Sequence, residues 1–253
     1  MLNDGEFLRY SRQLLLEDIG PEGQMRLKQS TVLIVGLGGL GSPVALYLAA
    51  AGVGTILLAD DDTLHLTNLQ RQILFRTQDL RRGKAELAKE QLQALNPQLN
   101  YQVLTKRLTE DNLEDILQQT DLVLDCCDNM ATRHAVNAAC IKHRVTLVSG
   151  SAVSFSGQLL VLNPPFTHGC YACLYPDRTE PSRNCRTAGV LGPMVGAVGS
   201  LQALEAIKIL SGMPSALDGK LQLFDGKKHQ WTSLQLRRDP ACAVCGGQHA
   251  NIG

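Results

Sequence analysis

Residues 31–42 read TVLIVGLGGLGS, an apolar run that passes into a glycine-rich turn. The glycines have the spacing G-x-G-x-x-G with one additional member: Gly36, Gly38, Gly39 and Gly41. Between a strand and a helix, such a turn lets the backbone approach a phosphate closely, and the helix start directs unpaired N–H groups at the anion. The stretch therefore predicts a nucleotide-binding β-α unit, and Asp60, 24 residues beyond Gly36, suits a ribose hydroxyl.

The first 150 residues alternate between predicted strands and helices. TVLIV and TILLAD are apolar without alternation, as strands covered on both faces are. Between them Ser42 and Pro43 are typical of an N-cap and a first helical position, and Gly52 of a helix end. Further strands are predicted in YQVL, DLVLDCC and VTLVS, and further helices in residues 83–97 and in ATRHAVNAACIKH. This order predicts a doubly wound, Rossmann-like α/β fold with a mostly parallel sheet.

The pattern changes after about residue 150. GQLLVLN, KLQLFDG and QWTSLQLRR are alternating or hairpin-like, which indicates antiparallel strands added to the same sheet. No linker or low-complexity tract separates the two halves. We therefore expect a single domain over residues 1–253, with a nucleotide-binding half in 1–150 and an antiparallel extension in 151–253.

The composition argues against nucleic-acid and membrane partners. The 253 residues carry 24 basic and 24 acidic side chains, and no run of like charge stands out. The N-terminal MLNDGEFLRYSRQ lacks the apolar core of a signal peptide, so we expect a cytoplasmic protein. Residues 187–204 are uncharged and long enough for a membrane span, but their glycines, proline and charged helical continuation favour a buried core helix.

Several polar residues follow the predicted strands, where open α/β sheets bind ligands. They are Asn68, Arg71, Gln72, Lys84 and Asp128. Taken singly, Lys84 is explained as a solvated helix charge and Asp128 as an Asx turn or helix cap. Together, two cations and a carboxylate that can bind magnesium match attack at a phosphoryl centre, where charge accumulates on the phosphates. A dehydrogenase needs only to hold the pyrophosphate, so the set favours an enzyme that uses ATP.

A series of motifs follows in order along almost the whole chain. They read RYSRQ, VLIVGLGGLGSP, ADDDTLHLTNLQRQ, the Lys84 helix, DLVLDCCDN, CYAC, NCRTAGV, GSLQALEAIKILSG and CAVCGG. This series resembles the ThiF/MoeB/HesA adenylyltransferases, which are related to ubiquitin-activating enzymes. In that family ATP adenylates the C-terminal Gly-Gly carboxylate of a ubiquitin-like sulfur-carrier protein, and pyrophosphate is released.

The resemblance assigns the residues noted above: Asp60 to the ribose, Asn68, Arg71 and Lys84 to the phosphates, and Asp128 to magnesium. It also implies a sulfur donor protein as a partner, and a homodimer in which Arg12, from RYSRQ, reaches the partner's nucleotide site. The segment EPSRNCRTAGV most resembles the thiamine-thiazole branch, whose carrier is ThiS. The molybdopterin branch is the close alternative. From other classes, an NAD-dependent oxidoreductase and a non-catalytic Rossmann scaffold with a zinc site stay open.

Two cysteine pairs have the C-x-x-C spacing with which a loop offers two thiolates to zinc: Cys170 and Cys173, and Cys242 and Cys245. Without a secretory signal, structural disulfides are not expected. A thioredoxin-like redox pair and a zinc ribbon for nucleic acid are the competing interpretations, and both lack their usual sequence context. We predict a structural zinc that ties the C-terminal tail to the body and, with four thiolates, has no open position for substrate.

Cys185 differs from the remaining cysteines. Burial as small hydrophobes is expected for those in apolar runs, Cys126, Cys127 and Cys140. Cys185 follows the polar stretch YPDRTEPSRN, and the flanking Arg183 and Arg186 can stabilise a thiolate. An unreactive loop cysteine is the alternative. The family resemblance further implies that the carrier thiocarboxylate can join Cys185 through an acyl disulfide.

Overall fold

The computed structural model describes residues 1–180 and 185–247, except for the side chains of Cys185 and Arg186. The strands are β1 (Thr31–Val35), β2 (Thr55–Ala59), β3 (Asn100–Leu104), β4 (Leu122–Asp125), β5 (Thr146–Val153), β6 (Ser156–Leu162), β7 (Lys220–Asp225) and β8 (Gln230–Gln235). The α-helices are α1 (Asp4–Arg9), α2 (Ser11–Leu14), α3 (Gly20–Gln29), α4 (Gly41–Ala51), α5 (Lys84–Leu95), α6 (Glu110–Leu117), α7 (Met130–His143), α8 (Tyr171–Leu174), α9 (Cys185–Ala188) and α10 (Gly192–Ser211). Short 3-10 helices span Leu66–Asn68 and Thr77–Asp79.

Within the described ranges, the strands form one eight-stranded sheet in the order β3-β2-β1-β4-β5-β6-β7-β8. The first five strands in this order pair in parallel. From β5 onward the pairs are antiparallel. The predicted parallel sheet with an antiparallel C-terminal extension is therefore confirmed.

Helices cover both faces of the parallel half, which explains its apolar strands. In β1, Val32 and Ile34 pack into a core cluster with residues of α4, α5 and α10. Their neighbours Leu33 and Val35 point the other way, into a cluster with residues of α6 and α7. Because successive side chains of a strand face opposite sides, burial of both sides requires a continuous apolar run.

The start of α4 differs from the sequence prediction. The helix begins at Gly41, so Ser42 is not its N-cap and Pro43 is not its first residue. A Cβ on Gly41 would lie 1.9 Å from the carbonyl oxygen of Gly36, and glycine therefore lets the helix begin tightly against the turn. The predicted end is confirmed, because Gly52 closes α4 in the left-handed conformation with φ of 88°.

The long apolar helix α10 is a helix of the protein core. By length and composition alone it could cross a membrane, but half of its most apolar window is buried inside the protein. It packs against α4, α3 and β5. Its buried Gln202 donates from Nε2 to the carbonyl oxygens of Asp125 (2.9 Å) and Val148 (3.1 Å), which joins the helix to β4 and β5. The predicted core helix is confirmed.

Candidate active site

A cavity of about 770 Å³ opens at the carboxyl ends of the parallel strands. Its walls include the glycine-rich turn after β1, the residues after β2 and the turn between β4 and α7. The predicted nucleotide-binding residues that line it are Gly36, Gly38, Gly39, Asp60, Arg71, Lys84 and Asp128. The structure thus brings most of the predicted set together where open α/β sheets bind ligands.

The glycine-rich turn packs backbone to backbone against the turn that follows β4. Gly36 has a φ of 88°, and a Cβ at this position would lie 2.9 Å from the carbonyl oxygen of Cys126. A larger residue would therefore be strained and would push the two turns apart. Gly38 and Gly39 follow along the cavity wall, which leaves backbone rather than side chains facing the cavity at these positions.

Asp60 holds the turn as well as lining the cavity. Its carboxylate accepts the N–H of Leu37 at 2.7 Å and the N–H of Asp62 at 2.9 Å. Burial raises the pKa of Asp60, and the hydrogen bond from Leu37 and the charge of Lys84 oppose this shift. The residue expected on the ribose is therefore fixed in place by the backbone of the glycine-rich turn.

Lys84 is not a solvated helix charge. It is the first residue of α5, its side chain is 5% exposed, and its Nζ lies 2.6 Å from Oδ2 of Asp62. Burial would raise the pKa of Asp62, but the hydrogen bond and charge of Lys84 outweigh this and lower it below its usual value. Sequence reasoning missed Asp62, although its place in the run ADDD beside Asp60 was a usable signal.

The three predicted residues of the segment after β2 lie in three different surroundings. Arg71 lines the cavity and donates from Nη1 to the carbonyl oxygen of Thr67 at 3.0 Å. Asn68 does not line it, because its side chain accepts the N–H of His65 at 2.9 Å and caps the 3-10 helix Leu66–Asn68. Gln72 is buried behind Gly38, and its Oε1 has no hydrogen-bond partner among the described residues.

Asp128 is exposed in the turn after β4 and borders the cavity. Asp128 does not cap the following helix, although a helix cap was one of the two ordinary structural roles considered for it. That role belongs to Asn129, whose Oδ1 accepts the N–H of Thr132 at 2.9 Å at the start of α7. A carboxylate thus stands at the edge of the cavity, on the turn that packs against the glycine-rich turn, where it can bind a cation together with phosphate oxygens.

Arg133 and Glu180 are charged residues of the cavity wall that sequence reasoning also missed. Arg133, in the second turn of α7, is buried and forms an ion pair with Asp125 at 2.7 Å. An arginine among the small and apolar residues of ATRHAVNAAC was a signal for a buried polar contact. Glu180 accepts the N–H of Met130 at 2.6 Å from a distant loop, and no local sequence signal indicates such a contact.

The four predicted zinc ligands form a cluster. The Sγ atoms of the residues concerned lie within 4.8 Å of one another: Cys170, Cys173, Cys242 and Cys245. Burial raises the pKa of the Cys170 and Cys245 thiols, whereas for Cys242 backbone N–H groups and neighbouring thiols outweigh burial and lower the pKa. Four sulfur atoms this close together fit tetrahedral zinc, which thiolates favour. The cluster joins the segment around α8 to the C-terminal tail.

The remaining predicted residues lie outside the cavity. Arg12 is exposed in α2 and does not line the cavity of its own chain. The backbone of Cys185 begins α9, whereas its side chain, that of Arg186 and all of Arg183 fall outside the described residues. The other predicted core cysteines are confirmed as buried: Cys126, Cys127 and Cys140.

The sequence matches the model of the ThiF family over residues 10–244. The chain belongs to the ThiF family. The sulfur carrier protein ThiS adenylyltransferase of Escherichia coli K12 is 58% identical over 99% of both chains. The molybdopterin-synthase adenylyltransferase of the same organism is 43% identical over 97% of this chain and 98% of the relative. The adenylyltransferase and sulfurtransferase MOCS3 of Culex quinquefasciatus is 46% identical, and the match covers 96% of this chain but 56% of the relative.

A solved structure has a similar fold. The crystal structure of E. coli MccB with ATP superposes with a TM-score of 0.82 at 25% identity, covering 96% of this chain and 75% of that one. The prediction of an adenylyltransferase is therefore confirmed, and the higher identity to the ThiS enzyme than to the molybdopterin enzyme agrees with the thiamine branch. Nothing in these relatives supports the NAD-dependent oxidoreductase or the non-catalytic scaffold.

Proposed function

We propose that the protein transfers AMP from ATP to the C-terminal Gly-Gly carboxylate of a ThiS-type sulfur carrier and releases pyrophosphate. The observation that carries this proposal is the cavity in which the glycine-rich turn, Asp60, Arg71, Lys84 and Asp128 converge. The full-length identity to a ThiS adenylyltransferase favours the thiamine branch. A molybdopterin-type carrier is the second candidate, supported by the 43% identical relative.

In this reaction the carrier carboxylate attacks the α-phosphate, and no protein nucleophile is needed. Asp60 binds the ribose, and the backbone of the glycine-rich turn lies along the phosphates. The carboxylate and the triphosphate repel each other, so Arg71 and Lys84 neutralise charge that would otherwise keep them apart. Arg71 offers a planar fork of donors to the phosphates, whereas Lys84 supplies a compact charge from the start of α5.

Asn68 and Gln72 act on the nucleotide through the loop that carries Arg71. Asn68 caps the 3-10 helix just before Arg71, and Gln72 packs behind the glycine-rich turn. Asp128 is the proposed ligand of magnesium, which would neutralise phosphate charge when bound. The carboxylate at the cavity edge fits this ion because magnesium prefers oxygen ligands and shares its shell with phosphates.

The protein is proposed to act as a homodimer in which Arg12 enters the partner's nucleotide site. Arg12 lies beside exposed apolar residues, among them Leu15 at 72% and Leu16 at 53% exposure. Arg12 does not line the cavity of its own chain, and exposed apolar residues lie beside it. Such a surface is suited to burial against a second copy of the chain.

The cysteine cluster is proposed to hold one structural zinc. We also propose a single domain over residues 1–253 and a cytoplasmic location.

Sulfur transfer follows adenylation in the proposed sequence. A persulfide on a sulfur donor protein attacks the acyl adenylate and releases AMP. The thiolate of Cys185 then attacks the sulfur bonded to the carrier acyl group, which forms an acyl disulfide at Cys185 and releases the donor thiol. This exchange consumes no oxidant. The flanking Arg183 and Arg186 support the proposal because nearby cations favour a thiolate.

Exchange of labelled pyrophosphate into ATP tests the proposed function. We expect exchange with a ThiS-type carrier, none with the same carrier lacking its last glycine, and weaker exchange with a molybdopterin-type carrier. NAD is expected neither to bind tightly nor to be reduced. Equal exchange with the truncated carrier would contradict the proposal, and preference for the molybdopterin-type carrier would move the protein to the second candidate function.

A further inference from the structure

Beside the cavity, the buried guanidinium of Arg133 makes four hydrogen bonds. Its Nη1 donates to Oδ2 of Asp125 at 2.7 Å and to Oγ of Ser149 at 3.0 Å. Its Nη2 donates to the carbonyl oxygens of Cys127 at 2.5 Å and Gly150 at 2.8 Å. These acceptors belong to β4, to the neighbouring β5 and to the turn after β4, so one planar guanidinium group joins all three.

Cys127 connects this cluster to the active site, because Asp128 follows it directly. Arg133 holds its carbonyl oxygen, while Oδ1 of Asp125 accepts its N–H at 3.2 Å and its thiol at 2.7 Å. Both backbone polar groups of Cys127 are thus fixed by an ion pair. The direction in which the chain leaves β4, and with it the position of Asp128, depends on that pair.

We propose that Arg133 is the positioning residue for Asp128 and thereby sets the affinity of the site for its divalent cation. The inference rests on the proposed function, in which Asp128 binds magnesium. A purely stabilising role is the competing explanation. A buried ion pair offers little stability beyond a well-packed apolar pair of similar size, so geometric control is the better account of its place beside the cavity.

The test measures Mn²⁺ binding to the protein and a non-hydrolysable ATP analogue by electron paramagnetic resonance. Arg133→Lys keeps a positive charge beside Asp125, but one ammonium group cannot also span the carbonyl oxygens of Cys127 and Gly150. We expect its Mn²⁺ affinity to fall on the order of tenfold, as is typical when a residue that orients a metal ligand is lost. Binding of the analogue in the presence of a chelator should not change.

Gln202 provides a matched control from the opposite face of the sheet. It holds the backbone of β4 and β5 but does not contact the carbonyl of Cys127. Gln202→Met is expected to lower the melting temperature without changing Mn²⁺ affinity. If Arg133→Lys fails to fold, the double variant Asp125→Asn, Arg133→Gln removes both charges and leaves no buried ion unpaired. It should show the same loss of Mn²⁺ affinity.

The outcomes separate this inference from the proposed function. Wild-type Mn²⁺ affinity in folded Arg133→Lys or in the double variant would overturn the role of Arg133, as would an equal loss in Gln202→Met. If Asp128→Ala binds Mn²⁺ as the wild type does, the assignment of the cation to Asp128 is wrong, and the inference falls with it.

Discussion

The ammonium group of Lys84 lies 2.6 Å from a carboxylate oxygen of Asp62, and the two residues are also joined through their backbones. The N–H of Lys84 donates to the carbonyl oxygen of Asp62 at 3.0 Å. The N–H of Asp62 in turn donates to Oδ1 of Asp60 at 2.9 Å. A short chain of contacts thus links the residue proposed on the ribose to the lysine proposed on the phosphates, and Asp62 sets the position of that lysine.

Asp62→Asn is therefore expected to raise the KM for ATP on the order of tenfold, the effect of losing a hydrogen bond to a charged group. The asparagine carries no charge to balance the buried Lys84. Because about half of Asp62 is exposed, solvent screens the pair, and the loss of stability should be about 1 kcal/mol or less. Pyrophosphate exchange at varied ATP and urea unfolding measure the two effects. An unchanged KM would contradict the positioning role of Asp62.

The same pair has a pH dependence with a defined sign. Because Lys84 lowers the pKa of Asp62 in the folded protein, the unfolded chain binds this proton more readily. The stabilisation is present above the unfolded pKa of about 3.9 and is lost as the pH falls through the lower folded value. The difference in unfolding free energy between wild type and Asp62→Asn should therefore be constant above about pH 5 and shrink below about pH 4. A difference that grows in acid would contradict the pairing.

Local sequence patterns carried enough information to predict the sheet. The apolar runs of β1 and β2 predicted strands covered on both faces, and both faces of each strand are buried in the structure. The alternation in the C-terminal half predicted antiparallel strands because one-sided burial produces that period. The start of α4 was misplaced because Ser42 and Pro43 fit a general capping preference, whereas the close approach of Gly41 to Gly36 depends on the tertiary fold.

The active site was predictable in location but only partly in contacts. Strand ends and glycine spacing place Asp60, Lys84 and Asp128 at one edge of the sheet, because parallel strands end together. The burial of Lys84 depends on the loop that carries Asp62, and sequence spacing does not encode this. The capping contact of Asn68 is local, because its side chain accepts the N–H of His65 three residues earlier. The network around Arg133 joins residues of three segments, so only the folded chain shows it.

The cysteine cluster is expected to bind one zinc per chain. Cys242→Ser removes one of four thiolates, and because binding of structural zinc contributes on the order of 10 kcal/mol, the tail should be destabilised. We expect a melting temperature lower by on the order of 10 °C and a smaller effect on adenylation. Elemental analysis and thermal unfolding measure these outcomes.

Cys140→Ala is the control for that substitution, because Cys140 is a buried cysteine outside the cluster. The Cys140→Ala protein should keep the zinc of the cysteine cluster. Zinc affinity should also weaken as the pH falls, because protons compete with the metal for the thiolates. Protein purified without chelators that contains no zinc would contradict the assignment directly.

Mixing two inactive variants tests whether Arg12 acts in the partner's site. Arg12→Ala and Lys84→Met are each expected to reduce adenylation on the order of a hundredfold or more, because each removes a cation from the transition state. In a hybrid dimer, one site combines Arg12 from the Lys84→Met subunit with Lys84 from the Arg12→Ala subunit. Co-refolded variants should therefore regain about a quarter of the wild-type sites, as random pairing of two subunits requires. Absence of any recovery in verified hybrid dimers would show that Arg12 acts within its own chain or not at all.

Cys185→Ser is expected to separate adenylation from sulfur transfer. The attack on the α-phosphate needs no protein nucleophile, so ATP-dependent AMP transfer to the carrier should stay close to the wild-type rate. The acyl disulfide requires a thiolate at this position, so a covalent carrier complex that reductant dissolves should disappear and later sulfur transfer should fail. Mass spectrometry of the complex formed with carrier, ATP and a persulfide donor, with and without reductant, measures both steps.

Cys140→Ala should form the complex as the wild type does, because that thiol is buried in α7. A serine variant that still forms the complex at the wild-type level would assign the acyl disulfide to another cysteine.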